Sequence, residues 1–272
     1  MTAAPILVAT DLSARADRAI DRAMMLGQQL DRNVAVVYAQ KFNDHHGEVD
    51  VENLVRAVLP QPQADVRILS PTGTPPEEIA QAAKDTGAAI LCVGPARHNS
   101  IGDFFLGTAV DYIARFSDVP LLVVKKRAHN YYDKIIFASD FSDCSRDALM
   151  IAAKLFPKTE IRIVHAYQVP FQSWQKATYV REEVRNWAQE NMDGFIDSLS
   201  RIPELAGRVT GAIVYGRAFQ AISAEAEKST SILAAFGTHG ESGFRHATIG
   251  SVANQLLDTL PIDCLMIKSA QG

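Results

Sequence analysis

Ile6-Leu7-Val8-Ala9-Thr10-Asp11-Leu12-Ser13 and Ile135-Ile136-Phe137-Ala138-Ser139-Asp140-Phe141-Ser142 make the same statement twice. Each is an apolar run that ends in a hydroxyl residue, an aspartate, an apolar residue and a serine. An unbroken apolar run, without polar alternation, suits a parallel strand covered on both faces. A second matched pair follows in the same order. Val93-Gly94-Pro95-Ala96-Arg97 leads, after nine further residues, to Gly107-Thr108. Phe236-Gly237-Thr238-His239-Gly240 leads, after the same interval, to Gly250-Ser251. Two motifs repeated in one order mark an internal duplication.

Working outward, strands and helices alternate. In the first half, strands are expected at 5–10, 33–39, 64–69, 88–93 and 119–125. Helices are expected after Ser13, near 50–58, near 75–86 and near 107–116. Ser13 reads as a helix N-cap. Beyond it Ala16, Ile20, Ala23, Gly27 and Leu30 recur at helical spacing, with Arg15, Arg18, Asp21 and Arg22 on the other side. The second half repeats the scheme, with strands at 134–139, 160–166, 208–215, 231–236 and 263–268. Its helices fall at 143–156, 176–201, 217–229 and 250–259. A short polar linker, Lys126 to Tyr132, separates domains assigned to 1–127 and 133–272. Such alternation specifies an α/β fold, here two tandem doubly wound domains, each a mostly parallel sheet flanked by helices.

The halves differ in length. Asp140 follows Asp11 by 129 residues, whereas Gly237 follows Gly94 by 143, so about 14 extra residues lie in the second half. They fall in 170–200, with Trp174, Trp187 and Phe195, as a helix that covers a pocket, forms an interface or adds aromatic core.

Composition narrows the function classes. The 272 residues are 47% apolar and 21% charged, the profile of an ordinary globular protein, with a net charge of −4. That balance argues against nucleic acid as a partner held on a broad basic face. Cys92, Cys144 and Cys264 are few, odd in number and scattered, so no disulfide framework is implied; Cys92 and Cys264 sit in apolar runs as buried small hydrophobes. The N-terminal run lacks the pattern of a secretory leader, and no stretch reaches ~18 uninterrupted apolar residues. The expectation is a cytoplasmic protein without a membrane partner.

In a doubly wound sheet, ligands bind beyond the carboxyl ends of the strands. Asp11, Asp140, Gly94 and Gly237 all fall there. In the second half, Gly237, Gly240, Gly250 and Ser251 form a loop after a strand that opens a helix. Glycines allow close backbone approach and positive φ. Amides at a helix start form an anion site, and Ser251 adds a hydroxyl donor. A phosphate chain is the natural guest. Asp140, across the mouth, is suited to ribose hydroxyls or a divalent metal. The pattern is neither a P-loop nor a dinucleotide-binding fingerprint.

The motif G-x2-G-x9-G-(S/T), with an aspartate after the first strand, resembles the universal stress protein family over nearly the whole chain, as two tandem copies. The resemblance implies a five-stranded sheet per domain and a site for ATP or a related adenine nucleotide, with Mg2+ as a candidate companion. By that resemblance Asp140, Ala166, Phe236, Gly237, Gly240, Gly250, Ser251 and Val252 line the nucleotide site, with Ala166 and Phe236 at the adenine end. The first half keeps Asp11, Ala39, Gly94, Gly107 and Thr108 but has Arg97 at the second glycine position. Arginine there fills the space meant for phosphates, which makes this a degenerate site; the contrary reading is a guanidinium that binds phosphate itself.

Weaker candidates are Asp44-His45-His46, which lacks the further ligands of a metal site, and His239 within the glycine loop. His165 reads as a satisfied core histidine, and Arg217 sits within reach of the pocket. No metal centre or catalytic residue is assigned.

Three functions compete. One is a stress-response switch whose nucleotide occupancy is sensed by an unknown protein partner. Another is a slow ATPase or nucleotide hydrolase, weak at most, because no lysine sits in the glycine loop. The last is a nucleotide-free interaction module. The resemblance also implies pairing through the last strand of each domain. Within one chain this gives an intramolecular pseudo-dimer that hides two strand edges and leaves room for a homodimer of the whole chain.

Overall fold

The computed structural model describes residues 3–14, 16–41, 48–95, 108–169, 177–228, 231–238 and 249–269. The first repeat runs β1 (Ile6–Ala9), α1 (Asp17–Leu30), β2 (Val34–Val37), α2 (Glu48–Val58), β3 (Val66–Leu69), α3 (Pro75–Asp85), β4 (Ile90–Val93), α4 (Thr108–Phe116) and β5 (Leu121–Val123). The second runs β6 (Lys134–Ala138), α5 (Asp143–Leu155), β7 (Glu160–Tyr167), α6 (Ala177–Ser200), β8 (Val209–Tyr215), α7 (Ala218–Ala226), β9 (Ile232–Gly237), α8 (Ser251–Thr259) and β10 (Cys264–Ile267). The fold is α/β and doubly wound in tandem. No described helix is long and apolar enough to cross a membrane.

The chain forms two compact units. One comprises Met1–Tyr131 together with Pro261–Lys268; the other is built mainly from Tyr132–Phe244 and Gly250–Leu260. In the first, the strand order is β3-β2-β1-β4-β5, all parallel, and β10 pairs antiparallel with β5. In the second, β9-β6-β7-β8 run parallel. Every residue of β1, β2, β4, β5 and β10 is buried, as continuous apolar runs require. Ile6, Leu7, Ile90, Leu91, Leu121 and Leu122 are among the side chains almost fully removed from water. Each such burial stabilises the fold by about 1.5–3 kcal/mol before entropic costs.

α1 seals one face of the first sheet with Ala19, Ile20, Ala23 and Leu26. Gly27 lets it approach β2: a Cβ there would lie 2.7 Å from Val34 Cγ2 and 3.0 Å from the Arg32 carbonyl oxygen. Ser13 does not cap this helix. The N-cap is Ala16, without a side-chain bond, because a tight turn closed by the Ala16 amide on the Ser13 carbonyl delays the start. In the second repeat Ser142 does cap α5, its Oγ accepting the Ser145 amide at 3.1 Å.

The attachment of β10 has a polar anchor. Buried Asp263, just before the strand, accepts the amides of Lys125 and Lys126 through Oδ1 at 2.7 and 2.9 Å. Its Oδ2 lies 3.3 Å from Nε of buried Arg22 on α1, and Arg22 donates through Nη1 to the Asn130 carbonyl at 2.8 Å. One carboxylate thus ties β10 to α1 and to the chain leaving β5.

The extra length of the second repeat lies in α6, with 24 residues against 11 in α2. From Ala188 onward it buries Ala188, Met192, Phe195 and Leu199, whereas Tyr179 and Trp187 are exposed. Phe195 is therefore core and Trp187 is not; Trp174 lies outside the described residues.

Candidate functional site

The turn after β6 is built by its own side chains. Ser139 continues the ladder by donating its amide to the Val164 carbonyl, and its Oγ accepts the Phe141 amide at 3.1 Å. Asp140 Oδ1 accepts the amide of Ser142 at 3.1 Å and its hydroxyl at 2.6 Å. These bonds hold Phe141 at φ 67°, in the left-handed region that side chains avoid. The same turn recurs after β1. There Leu12 sits at φ 61°, its amide donates to Thr10 Oγ1, and Ser13 donates through its amide and hydroxyl to Asp11 Oδ1. The duplication is thus visible at the level of individual bonds.

Phe141 packs inward. Its ring stacks on His165 with centroids 4.3 Å apart and meets Phe195 at 5.7 Å. His165 Nδ1 donates to the Ser139 carbonyl at 2.9 Å, which fixes the ring. The histidine is buried and bonded, and it braces the turn that carries Asp140.

On the other side of the site, β9 ends at Gly237 and leads into buried Thr238. The Gly250 amide donates to the Thr238 carbonyl at 2.8 Å, so the two ends of the glycine loop are clamped together. Positive φ is not what requires glycine here, since Gly250 has φ −58°. Proximity is the reason: a Cβ would lie 3.2 Å from the Thr238 carbonyl oxygen. α8 starts at once, and Gly250, its N-cap, supplies no side-chain bond to the first-turn amides. Ser251 and Val252 are exposed at that terminus. Donors of this kind, at the positive end of a helix dipole, suit an anionic group.

Between these two walls lies a cavity of about 440 Å³, within the size range of small-ligand sites. Asp140, Ala166, Phe236, Gly237, Gly250, Ser251 and Val252 all line it. Gly240 and His239 lie outside the described residues. The cavity also has a wall that the motifs do not signal: Ala218, Ala221 and Ile222 from α7, with Leu256 from α8. Small and apolar residues at helical spacing could have flagged α7 as packing against something, though not against a ligand. The Arg217 backbone begins α7, its amide bonded to Gln220 Oε1 at 3.2 Å.

The cavity therefore offers an apolar interior, a carboxylate at one rim and uncapped amides with a hydroxyl at another. A ligand with a flat apolar part, hydroxyls and an anionic tail satisfies all three. In the first unit, Asp11 is exposed beyond β1, Ala39 and Gly94 are half-buried at the ends of β2 and β4, and α4 begins at Thr108. Arg97, Gly107 and the Asp44–His46 segment lie outside the described residues.

The Universal stress protein family profile matches the chain twice, at residues 3–125 and 131–268. A functionally unknown protein from Pseudomonas aeruginosa PAO1 has a similar structure: TM-score 0.67, 19% identity, covering 98% of this chain and 93% of that one. A universal stress protein from Archaeoglobus fulgidus DSM 4304 aligns at TM-score 0.63 and 17% identity over 97% and 98% of the two chains. At such identity these likenesses concern the fold. Shorter universal stress proteins were solved with cAMP (21% identity, 44% of this chain and 96% of that one, TM-score 0.37) and, from Archaeoglobus fulgidus, with dAMP (19%, 45% and 98%, 0.36). No curated protein sequence matches the chain.

Proposed function

The chain belongs to the universal stress protein family, and on that premise we propose that it is a cytoplasmic stress-response protein whose second repeat binds ATP or a related adenine nucleotide as a switch. The observation that carries this reading is the cavity bounded by Asp140 and the uncapped start of α8, with Gly250 pressed against Thr238. The Ser251 and Val252 amides and the Ser251 hydroxyl would hold phosphate, and Mg2+ would offset its charge. Asp140 would accept the ribose hydroxyls, while Ala166 and Phe236 would border the base. Gly240 belongs to the same loop. The first repeat, with Arg97 in place of that glycine, holds the degenerate copy. Nucleotide occupancy biases a conformation that a protein partner senses. The pairing of β5 with β10, equivalent last strands of the two repeats, supports an intramolecular pseudo-dimer.

Calorimetric titration of nucleotide-stripped protein tests the assignment, using ATP with Mg2+ and, separately, AMP and cAMP. One site per chain is expected, lost in Gly240→Arg, which copies the first repeat. Two sites would show that the first repeat also binds. No heat with any of the three at roughly millimolar ligand would sink the reading.

A further inference from the structure

The turn that carries Asp140 is held from β7 as well as by its own side chains. Asp140 sits between two peptide planes, and each plane is pinned. The Ser139 carbonyl and the Asp140 amide share the first plane. His165 Nδ1, on β7, lies 2.9 Å from that carbonyl oxygen. A carbonyl oxygen only accepts, so Nδ1 carries the proton and the neutral ring is the Nδ1–H tautomer. The second plane carries the Phe141 amide, which donates to Ser139 Oγ at 3.1 Å. Ser139 Oγ in turn shares a hydrogen bond of 2.8 Å with Ser145 Oγ on α5. With both planes fixed, the direction in which the Asp140 side chain leaves the backbone is fixed too.

His165 holds the turn in a second way. Phe141, at φ 67°, is in a region that a bulky residue enters only when its surroundings impose it. The imidazole stacks on its ring, with centroids 4.3 Å apart and planes 27° apart. The first repeat lacks both of these groups. β1 pairs Ile6 with Val34, and β6 pairs Ile135 with Ile161. Four residues further on, Tyr38 therefore stands where His165 does, and Leu12 stands where Phe141 does. Tyrosine has no N–H beside the ring's point of attachment, and leucine has no ring to stack. Asp11 is exposed there, whereas Asp140 is half-buried.

We propose that His165 is a positioning residue for ribose. By holding the Ser139 carbonyl it aims the Asp140 carboxylate, and so sets how strongly the second repeat prefers a nucleotide with ribose hydroxyls over one without them. The role rests on the nucleotide site proposed above, with Asp140 as the acceptor of those hydroxyls. Hydrogen bonds weaken steeply as their angle closes. A turn free to swing therefore loses the hydroxyl bonds first, while the phosphate donors at the start of α8 stay in place. His165 borders the same cavity, but its Nδ1–H is spent on the carbonyl.

Calorimetric titration of the full chain with ATP and with 2′,3′-dideoxy-ATP, each with Mg2+, reads the preference. Wild type should favour ATP by about tenfold or more, and Asp140→Ala should abolish that preference. His165→Phe keeps a ring against Phe141 but has no donor. Its preference should fall to about threefold or less, with affinity for dideoxy-ATP within about twofold of wild type. His165→Asn loses the ring but sets an amide N–H where Nδ1 stood, and should recover most of the preference. A His165→Phe protein that keeps the wild-type preference, or loses affinity for both nucleotides alike, overturns the positioning role and leaves the nucleotide site standing. A wild type that binds ATP without preference, or binds neither nucleotide, overturns the role together with the ribose assignment beneath it. Should the variants fail to fold, imidazole-nitrogen NMR of the wild type decides. An Nδ1–H tautomer at His165, its proton exchanging more slowly with ATP than with dideoxy-ATP bound, is expected from linkage. An Nε2–H tautomer, or equal exchange with the two nucleotides, overturns the proposal.

Discussion

Replacing Asp263 tests how β10 is held. The side chain is buried; it accepts the Lys125 amide at 2.7 Å and the Lys126 amide at 2.9 Å and lies 3.3 Å from the Arg22 guanidinium. Asp263→Asn keeps an oxygen where Oδ1 sits, so both amides retain an acceptor. What it removes is charge. The two amide bonds fall from charge-assisted to neutral, roughly 1 kcal/mol between them, and a buried guanidinium loses its counter-ion. Breaking a buried ion pair on one side costs about 3–5 kcal/mol, and the 3.3 Å separation places this pair at the lower end. The expected loss is about 4 kcal/mol for Asp263→Asn and about 5 kcal/mol for Asp263→Ala, which also strands both amides. With a urea slope near 3 kcal/mol/M, the midpoint should drop by about 1.3 M and about 1.7 M respectively. The double variant Arg22→Met with Asp263→Asn should cost less than the sum of the singles, because the orphaned guanidinium is gone. The assay is urea unfolding of the full chain, followed by circular dichroism. An Asp263→Asn variant within about 0.5 kcal/mol of wild type would refute the reasoning, since stability would then not depend on the charge.

Two further outcomes follow from ionisable groups. Burial, with Asp17 beside it, raises the Asp21 carboxyl above its ordinary value of 3.8, against the opposing pull of Arg127. The folded state thus holds this proton more tightly than the unfolded chain, and stability is lost as pH rises from 3.8 through the folded value. Asp21→Asn should raise stability slightly at pH 7, by less than about 0.5 kcal/mol at this half-buried and partly solvent-screened site, and the gain should vanish below pH 3.8. A gain that persists in acid would contradict the assignment. Burial also pushes the Cys264 thiol up to about 11 and the Cys92 thiol higher still. Neither should be alkylated in native protein at pH 8, and both should react once urea unfolds it, as peptide mass spectrometry would show; native modification of either would be contrary.

The sheet was legible because burial on both faces leaves a direct trace. Ile6-Leu7-Val8-Ala9 and Ile135-Ile136-Phe137-Ala138 have no polar alternation, and two copies fixed the phase of everything between them. The rims of the cavity were legible for a chemical reason: an aspartate at a strand end and Gly-Ser at a helix start have few other uses together. What the residues could not convey is tertiary in origin. Ala218, Ala221 and Ile222 form an ordinary apolar helix stripe, and only packing beside β6 and β7 makes part of it a cavity wall. The left-handed residue of the site is Phe141 and not a glycine, because the Ser139 and Asp140 side chains hold the turn. Ser13 and Ser142 occupy matching positions, yet only the second caps a helix, since the start of α1 is displaced to Asp17.

The placement of β10 imposes an order on biosynthesis. A ribosome releases β1 to β5 long before residues 264–267 exist, so the nascent first unit waits with β5 as a bare, wholly apolar edge. The strand that covers it is made only after β6 to β9 of the second unit. Any pause, truncation or proteolytic clip between Leu260 and Asp263 would leave that edge open and take from Arg22 the carboxylate of Asp263. Closure of the first-made unit thereby depends on a strand that is translated only after the whole of the second unit's sheet.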